Sequence, residues 1–410
     1  MRSVLAAALA AALLCPLDPA LAAGNTDIRF DGEDLVSAAE IQDWRANPAN
    51  RSIRAFHLDR GQLSKRGGSI SLQLAPGLSL DVTEVRSRRD ESGLLIWEGL
   101  LTDLARTGKS GEVAFDPMNS VTLVDNHGKL TGSVRVDGQL YKIRPLSSGG
   151  HAIIEFDETL VPADHPEGVH VPDGPLAGAL ARGELQGDSA KANTTIRVMS
   201  VATTAAKNAA GDIVGLVNLS ITEANQSYAN SGISITLQSA GVYTASYTES
   251  GSFSTDLARI RGTTDGYLDS VHSLRNQQTA DVVMFFINNS SSCGLASAIG
   301  ASATTAFAAV HWDCATGYYS FGHEIGHLQA ARHDPANDPS TTPYAYGHGY
   351  QAPSKAWRTV MAYACTGGCP RINYWSNPNR TYGGVAMGTA ATHDNARVLN
   401  NTRASIAAFR

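Results

Sequence analysis

Three histidines and one glutamate stand at spacings that can do metal chemistry. The stretch Phe321-Gly322-His323-Glu324-Ile325-Gly326-His327-Leu328-Gln329-Ala330-Ala331-Arg332-His333 holds H-E-x-x-H and, six positions after His327, a third histidine. On a helix, His323 and His327 lie four apart and project from one face. Two neutral imidazoles so placed can hold one zinc ion, with the Glu324 carboxylate beside them as a proton acceptor. His333 reaches the same ion only if the chain leaves the helix near Ala330 and turns back. Three protein ligands then leave a fourth position open, the arrangement of a catalytic rather than a structural zinc. Taken by itself, the stretch also reads as an amphipathic helix with two satisfied histidines.

Surrounding residues favour the metal. One large class of H-E-x-x-H zinc proteases takes its third ligand from a later glutamate, and no glutamate follows Glu324. Asp334, Asp338 and Asp394 are conceivable ligands, but His333 has the better spacing. Further on, Thr359-Val360-Met361-Ala362-Tyr363 resembles the Met-turn that lies beneath the zinc in the metzincins. Tyr363 matches the tyrosine that in astacins and serralysins sits at the metal and stabilises the oxyanion; a tyrosine packed under the site is the alternative.

From about residue 281 onward the chain resembles the peptidyl-Asp metalloendopeptidases, secreted bacterial metzincins of reprolysin-like type. The likeness rests on Ala309-Val310-His311-Trp312-Asp313-Cys314, Tyr346-Gly347-His348-Gly349-Tyr350, Trp357-Arg358-Thr359-Val360-Met361-Ala362-Tyr363, Cys369-Pro370-Arg371-Ile372 and Asp394-Asn395-Ala396-Arg397. It implies an α/β (α+β) metzincin catalytic domain with a twisted mixed sheet and an active-site helix. It also implies a secreted zinc endopeptidase made as a proenzyme, with zinc ligands His323, His327 and His333, and Glu324 and Tyr363 as catalytic residues. Substrate backbone would add as an antiparallel strand to residues 306–312, where Ala309 and His311 lie. A preference for aspartate after the scissile bond calls for a cation, with Arg371 the first candidate and Arg358 the second. One departure stands out: metzincins have glycine where this chain has Ala330. Alanine at positive φ costs roughly 1 kcal/mol.

Those residues need elements to hold them. From Thr194 the pattern is α/β, with strands at 195–202, 233–237, 281–288 and 306–312. Helices are expected at 213–229, at 253–274 with a break near Gly262, and at 394–409. Residues 24–170 read as β-rich: alternation at 69–74, 80–85 and 133–143, an apolar run at 94–101, and turn signals at Asn126-His127-Gly128 and Asp137-Gly138. This segment is expected to be a propeptide. Its His57, His127, His151, His165 and His170 are scattered singly and read as surface or loop residues. Residues 171–193, rich in Gly, Ala, Pro and Asp, read as an exposed linker with a processing site, and 194–410 as the protease domain.

Residues 1–23 read as a secretory signal: Arg2, an apolar run from Val4 to Leu14, and Ala20-Leu21-Ala22 for cleavage. Export to an oxidising compartment, extracellular or periplasmic, makes disulfides the natural use of Cys293, Cys314, Cys365 and Cys369. Of three pairings, Cys293–Cys314 with Cys365–Cys369 is expected, because the second closes a short Thr-Gly-Gly loop. A four-cysteine zinc site lacks the paired C-x-x-C spacing it would need.

A net charge of −6 among 410 residues, without a long basic block, gives no nucleic-acid footprint. No stretch after the signal is long and apolar enough for a membrane helix. The expected partners are protein or peptide substrates and the chain's own propeptide, with the chain a monomer. Loop acids and amides could bind calcium, but no EF-hand-like spacing supports it. No cysteine lies between the signal and the linker, so a cysteine cannot cover the zinc from the propeptide; Asp164 or His165 is the candidate cover. A metzincin-fold binding module that has lost turnover is the competing reading.

Overall fold

The computed structural model describes residues 39–56, 58, 61, 63, 68–90, 92–101, 112–183 and 192–410. The expected signal peptide, His57 and residues 184–191 of the expected linker lie outside these. Among the described residues no helix is long and apolar enough to cross a membrane.

After a short helix α1 (Ala39–Ala46), the N-terminal half forms one antiparallel sheet of eight strands. These are β1 (Asn50–Phe56), β2 (Ser69–Ala75), β3 (Leu78–Arg89), β4 (Leu95–Leu101), β5 (Ser120–Asn126), β6 (Lys129–Val136), β7 (Gln139–Pro145) and β8 (His151–Phe156). The order β1-β8-β7-β6-β5-β4-β3-β2 is a meander with its first strand laid beside its last. Both turn signals are two-residue hairpins with positive φ at each residue: His127 (50°) with Gly128 (103°), and Asp137 (47°) with Gly138 (87°). That conformation matches the twist of the flanking strands. Alternation decides which face is buried: Ile70, Leu72 and Leu74 of β2 join Leu123, Val134 and Ile143 in one core.

The C-terminal half is a three-layer α/β unit. Its sheet comprises β9 (Thr194–Thr203), β10 (Ile235–Ala245), β11 (Val282–Ile287), β12 (Gly294–Ala296) and β13 (Phe307–His311), in the order β10-β9-β11-β13-β12. All neighbours are parallel except β12, which pairs antiparallel with β13. The continuous apolar run of β11 is buried on both faces, as a central parallel strand requires. Val282, Met284 and Phe286 face a core shared with α4 (Ile213–Ser231) and α7 (Ser320–Leu328). Val283, Phe285 and Ile287 face α5 (Phe253–Arg261) and α6 (Ser270–Gln277). The expected break at Gly262 separates α5 from α6, with Gly262 as the C-cap. Three further elements are α3 (Thr204–Ala210), the hairpin β14 (Asn377–Tyr382) with β15 (Val385–Met387), and α8 (Asn395–Ile406).

Two expectations are corrected. The segment 171–193 is not uniformly exposed: Pro175–Ala181 form a helix, α2, whose Leu176 and Ala177 are buried. Proline at the first helical turn costs no hydrogen bond there, so the helix forms despite a composition that suggests a linker. The strand at 306–312 is not an edge. Once β11 and β12 have taken both sides of β13, the free edge belongs to β12, whose three residues carry no periodic pattern to announce it.

The two halves meet through buried charge. Lys142 of β7 donates to the Asp313 carbonyl (2.8 Å) and lies 3.1 Å from its carboxylate. Arg144 donates to Thr316 (3.0 Å), and Arg135 of β6 donates to the Gly317 carbonyl (2.7 Å) and to the Tyr319 hydroxyl (3.1 Å). These cations dock on the loop that leads directly into α7.

Candidate active site

Helix α7 turns Phe321, Ile325 and Leu328 into the core, which leaves His323 and His327 on the opposite side. Gly326 lets the Met-turn and Trp375 approach the helix: a Cβ there would lie 2.6 Å from Trp375 and 3.1 Å from Met361 Sδ. The helix ends in a Schellman turn. Ala331 N–H donates to the Gly326 carbonyl (2.9 Å) and Ala330 N–H to the His327 carbonyl (2.8 Å), with Ala330 at φ +75°. Alanine therefore adopts the left-handed conformation expected of the usual glycine, with its methyl buried against Ile299 and Val398.

That turn brings His333 back. Its Nε2 lies 3.0 Å from Nε2 of His323 and 3.0 Å from Nε2 of His327, which are 3.2 Å apart. The remaining ring nitrogens set the tautomers. His323 Nδ1 faces the Val360 carbonyl and His327 Nδ1 the Ala331 carbonyl, each at 2.9 Å. A carbonyl can only accept, so Nδ1 carries the proton and Nε2 presents a lone pair. Burial, the largest cause, keeps all three imidazoles neutral by pushing their pKa values well below the ordinary range. Two buried lone pairs and a third neutral ring nitrogen converging on one point are held together well by a cation among them. A tetrahedral ion with bonds of about 2.0–2.1 Å sets its ligand nitrogens about 3.3–3.4 Å apart. The donor set therefore fits a metal ion.

A fourth imidazole completes the cluster. One nitrogen each of His165, His323, His327 and His333 lies within 4.8 Å of the others, and all four residues are buried. His165, expected as a surface or loop residue, comes from the segment that follows the N-terminal sheet. Its Nε2 is buried without a hydrogen bond, 3.5 Å from Glu324 Oε2. Neither Glu324 oxygen has a hydrogen-bond partner. Burial raises the Glu324 carboxyl above its ordinary range, and His165 partly offsets this. Gly294 of β12 makes room for that carboxylate, since a Cβ at 294 would lie 2.3 Å from Oε1.

The Tyr363 ring packs 4.3 Å from the His333 ring. Burial first, then the Asp164 and Glu324 carboxylates, push its phenol upward, so it stays a donor at neutral pH. Asp334 accepts from Tyr363 N–H (2.9 Å), Asp338 pairs with Arg332, and Asp394 caps α8 through Arg397 N–H. The three aspartates considered as ligands thus have structural partners instead.

Arg371 and Arg358 lie together beyond the Met-turn, buried and stacked on Tyr318 at 4.2 and 5.3 Å. Arg371 Nη2 donates to Asp164 Oδ2 (2.6 Å), and Arg358 donates to the Ala362 carbonyl (2.6 Å) and the Tyr318 hydroxyl (2.9 Å). Burial alone would raise the Asp164 carboxyl; the two guanidiniums outweigh it and hold it below its ordinary value. A cavity of about 580 Å³ opens beside them, lined by Tyr318, Arg358, Tyr363 and the loop closed by Cys365–Cys369. The second disulfide, Cys293–Cys314, ties the start of β12 to the loop after β13. Both pairings are those expected.

Ala309 and His311 do not line this cleft. Ala309 is enclosed between sheet and helices. His311 borders a separate cavity of about 360 Å³ with Trp44, Asn288 and Trp312. Both sit on β13, which the expectation took as the exposed strand. The residues that sequence reasoning passed over are Gly294 and the edge strand it begins. Nothing in a three-residue strand distinguishes it from a loop.

Residues 192–376 match metallopeptidase family M12, in its reprolysin-type group Reprolysin_5. A peptidyl-Asp metalloendopeptidase of Xanthomonas campestris pv. campestris is 49% identical over 374 residues, covering 90% of this chain and 88% of that protein. One from Stenotrophomonas maltophilia is 50% identical over 374 residues, covering 89% and 88%. Among solved structures, metalloproteinase-II from Bacteroides fragilis overlaps 68% of this chain and 86% of its own at 13% identity, with a TM-score of 0.41.

Proposed function

We infer the chemistry from one premise: the chain belongs to the peptidyl-Asp metalloendopeptidases, within metallopeptidase family M12. It is a hydrolase that cuts peptide bonds in proteins or peptides. The metal in this reading is zinc, which suits three neutral imidazoles with a fourth position left for water. The observation that carries the reading is the convergence of three buried Nε2 atoms, two of them on rings tethered through Nδ1, beside a buried Glu324 whose oxygens make no hydrogen bond.

Bound zinc would supply Lewis acidity to the scissile carbonyl and lower the pKa of water toward about 7. Glu324 accepts the proton of the attacking water and passes it to the leaving amine. Its raised pKa brings it closer to the working pH, where such a shuttle is most effective. Tyr363, kept protonated, donates to the developing oxyanion. The substrate backbone adds to the edge of β12, in place of the interior strand β13. Arg371, flanked by Arg358, binds an aspartate side chain on the primed side, in keeping with the relatives' name. Residues 24–170 act as a propeptide, 171–193 contain the processing site, and 194–410 are the protease, made for export. The family match beginning at residue 192 agrees with that boundary.

A module that kept the fold and lost turnover finds little favour. Its one supporting feature was Ala330, which takes up the required turn. Glu324→Gln tests the reading: kcat/KM on casein should fall by roughly 10²–10⁴ with zinc content unchanged. Equal digestion by this variant would contradict the assignment.

A further inference from the structure

Resting on the zinc peptidase reading above, we propose that Pro162–His165 keep the enzyme latent as a substrate mimic of reversed polarity. His165 occupies the fourth metal position, and the Asp164 carboxylate occupies the seat of the substrate's aspartate.

Four observations carry this. First, the strap is bound where substrate backbone would be: Cys293 N–H donates to the Ala163 carbonyl and Gly294 N–H to the Asp164 carbonyl, each at 2.9 Å, at the start of β12. Second, Asp164 meets Arg371 at 2.6 Å, with both side chains at most 5% exposed. Asp164 is the carboxylate that occupies the cationic seat made by Arg371, Arg358 and Tyr318. Its Oδ1 and Arg371 Nε are both left without a hydrogen bond, so the seat holds the carboxylate through a single contact. Third, the next residue places one ring nitrogen within 4.8 Å of a ring nitrogen on each of the other three imidazoles, with ring centroids 4.7 to 5.7 Å away. One dipeptide thus fills both the metal position and the specificity seat.

The fourth observation is direction. Beyond His165 the strap keeps to the same edge: Ile299 N–H donates to the Pro172 carbonyl (2.8 Å) and Gly174 N–H to the Ile299 carbonyl (2.7 Å). Residue numbers rise together on both chains, and the bridge Asp173–Ile299 is parallel. The strap therefore runs parallel to β12, whereas substrate is expected antiparallel. Reversal puts a side-chain imidazole, not a peptide carbonyl, at the metal, and it displaces the water that hydrolysis needs. The strap binds through the enzyme's own recognition groups yet presents no bond to be cut. Arg332 anchors its far end by pairing with Asp173, and Leu176 and Gly300 continue the contact (3.1 Å) into α2. Cutting between α2 and β9 would free the strap at its C-terminal side.

The test uses the full chain loaded with Co²⁺, on a Glu324→Gln background that prevents self-processing. His165→Ala should change the visible cobalt bands from a four-imidazole to a three-imidazole-plus-water pattern. His165→Gln serves as a second variant if the alanine chain fails to fold. Asp164→Asn should speed cobalt removal by dipicolinate at least tenfold, because the strap loses its charged anchor. Bands unchanged by both His165 variants would overturn the ligand assignment. Removal no faster in Asp164→Asn would overturn the aspartate seat. Neither readout uses peptide hydrolysis. A chain that digests no peptide would defeat the peptidase reading and leave this one to be decided by the spectra.

Discussion

Two regions bring imidazoles to the same point and hold them differently. His323 and His327 stand on one helix, and His333 follows a turn that begins two residues after that helix ends. Their geometry is local, and each helical imidazole is tethered through Nδ1 to a backbone carbonyl. His165 arrives from the other half of the molecule on a strap with little regular structure. Among the described residues its imidazole has no carbonyl tether of that kind, and its position depends on the Asp164–Arg371 pair and two bonds to the β12 edge. Outer partners fix ring orientation and strengthen metal binding. On the proposal above, the tethered His323 and His327 are held to keep a metal, and His165, without such a tether, is placed to leave it.

The largest way to break this contrast acts on the strap's anchor. Arg371→Gln leaves Asp164 buried and unpaired, and should destabilise the full chain by about 3–5 kcal/mol in urea unfolding. Adding Asp164→Asn should recover most of that loss; no recovery would mean that Arg371 acts mainly through the Tyr318 and Ala362 carbonyls. Next is the metal itself. His333→Ala should weaken zinc binding by at least about 100-fold in a chelator competition, since even an outer partner is worth 10–100-fold. His165→Ala should change it less than about tenfold, because water can take the vacated position. Equal losses would erase the distinction between the two regions.

The local region was legible in the sequence and the strap was not, for a physical reason. Helical periodicity, the required turn and the Met-turn are all written within a few tens of residues, so the convergence of His323, His327 and His333 and the left-handed turn at Ala330 could be read directly. The hairpin turns at Asp137-Gly138 and His127-Gly128 were readable for the same reason. Pairing across the sheet was not: β13 has a clear apolar pattern, but no residue in it says that β12 will cover its outer side. That is why Ala309 and His311 were misplaced and Gly294 was missed. His165 sits between two prolines' influence in Pro162-Ala163-Asp164-His165-Pro166, with no periodicity at all. Only the missing cysteine pointed to it or to Asp164 as the cover; Asp164 pairs with Arg371 and His165 joins the histidine cluster.

A smaller effect probes the contact between the halves away from the metal. Glu223 accepts from Gly317 N–H (2.9 Å) near Arg144 and Arg135, and burial raises its carboxyl to about 7 from 4.5. The folded chain therefore binds this proton below about pH 7, the unfolded chain only below about 4.5. Stability from this group is fully present below the lower value, falls as pH rises between the two, and stays lower above them. Glu223→Gln should thus stabilise the full chain by about 2–3 kcal/mol at pH 8 and change little at pH 4. A gain equal at both pH values would mean that the carboxyl is not held protonated. The smallest effect is Ala330→Gly. Relief of the left-handed strain, roughly 1 kcal/mol, is offset by about 0.8 kcal/mol for the buried methyl and a further 0.4–1 for glycine's freedom when unfolded. The net change should stay within about 1 kcal/mol by thermal unfolding. A larger gain would show that the methyl's contacts with Ile299 and Val398 count for little.

The central contrast is tested most directly by zinc X-ray absorption on the full chain and on the chain after processing in the 171–193 segment. Four imidazoles at the metal before processing, and three with one oxygen afterwards, is the predicted result. Three imidazoles in both states, or four in both, would contradict it.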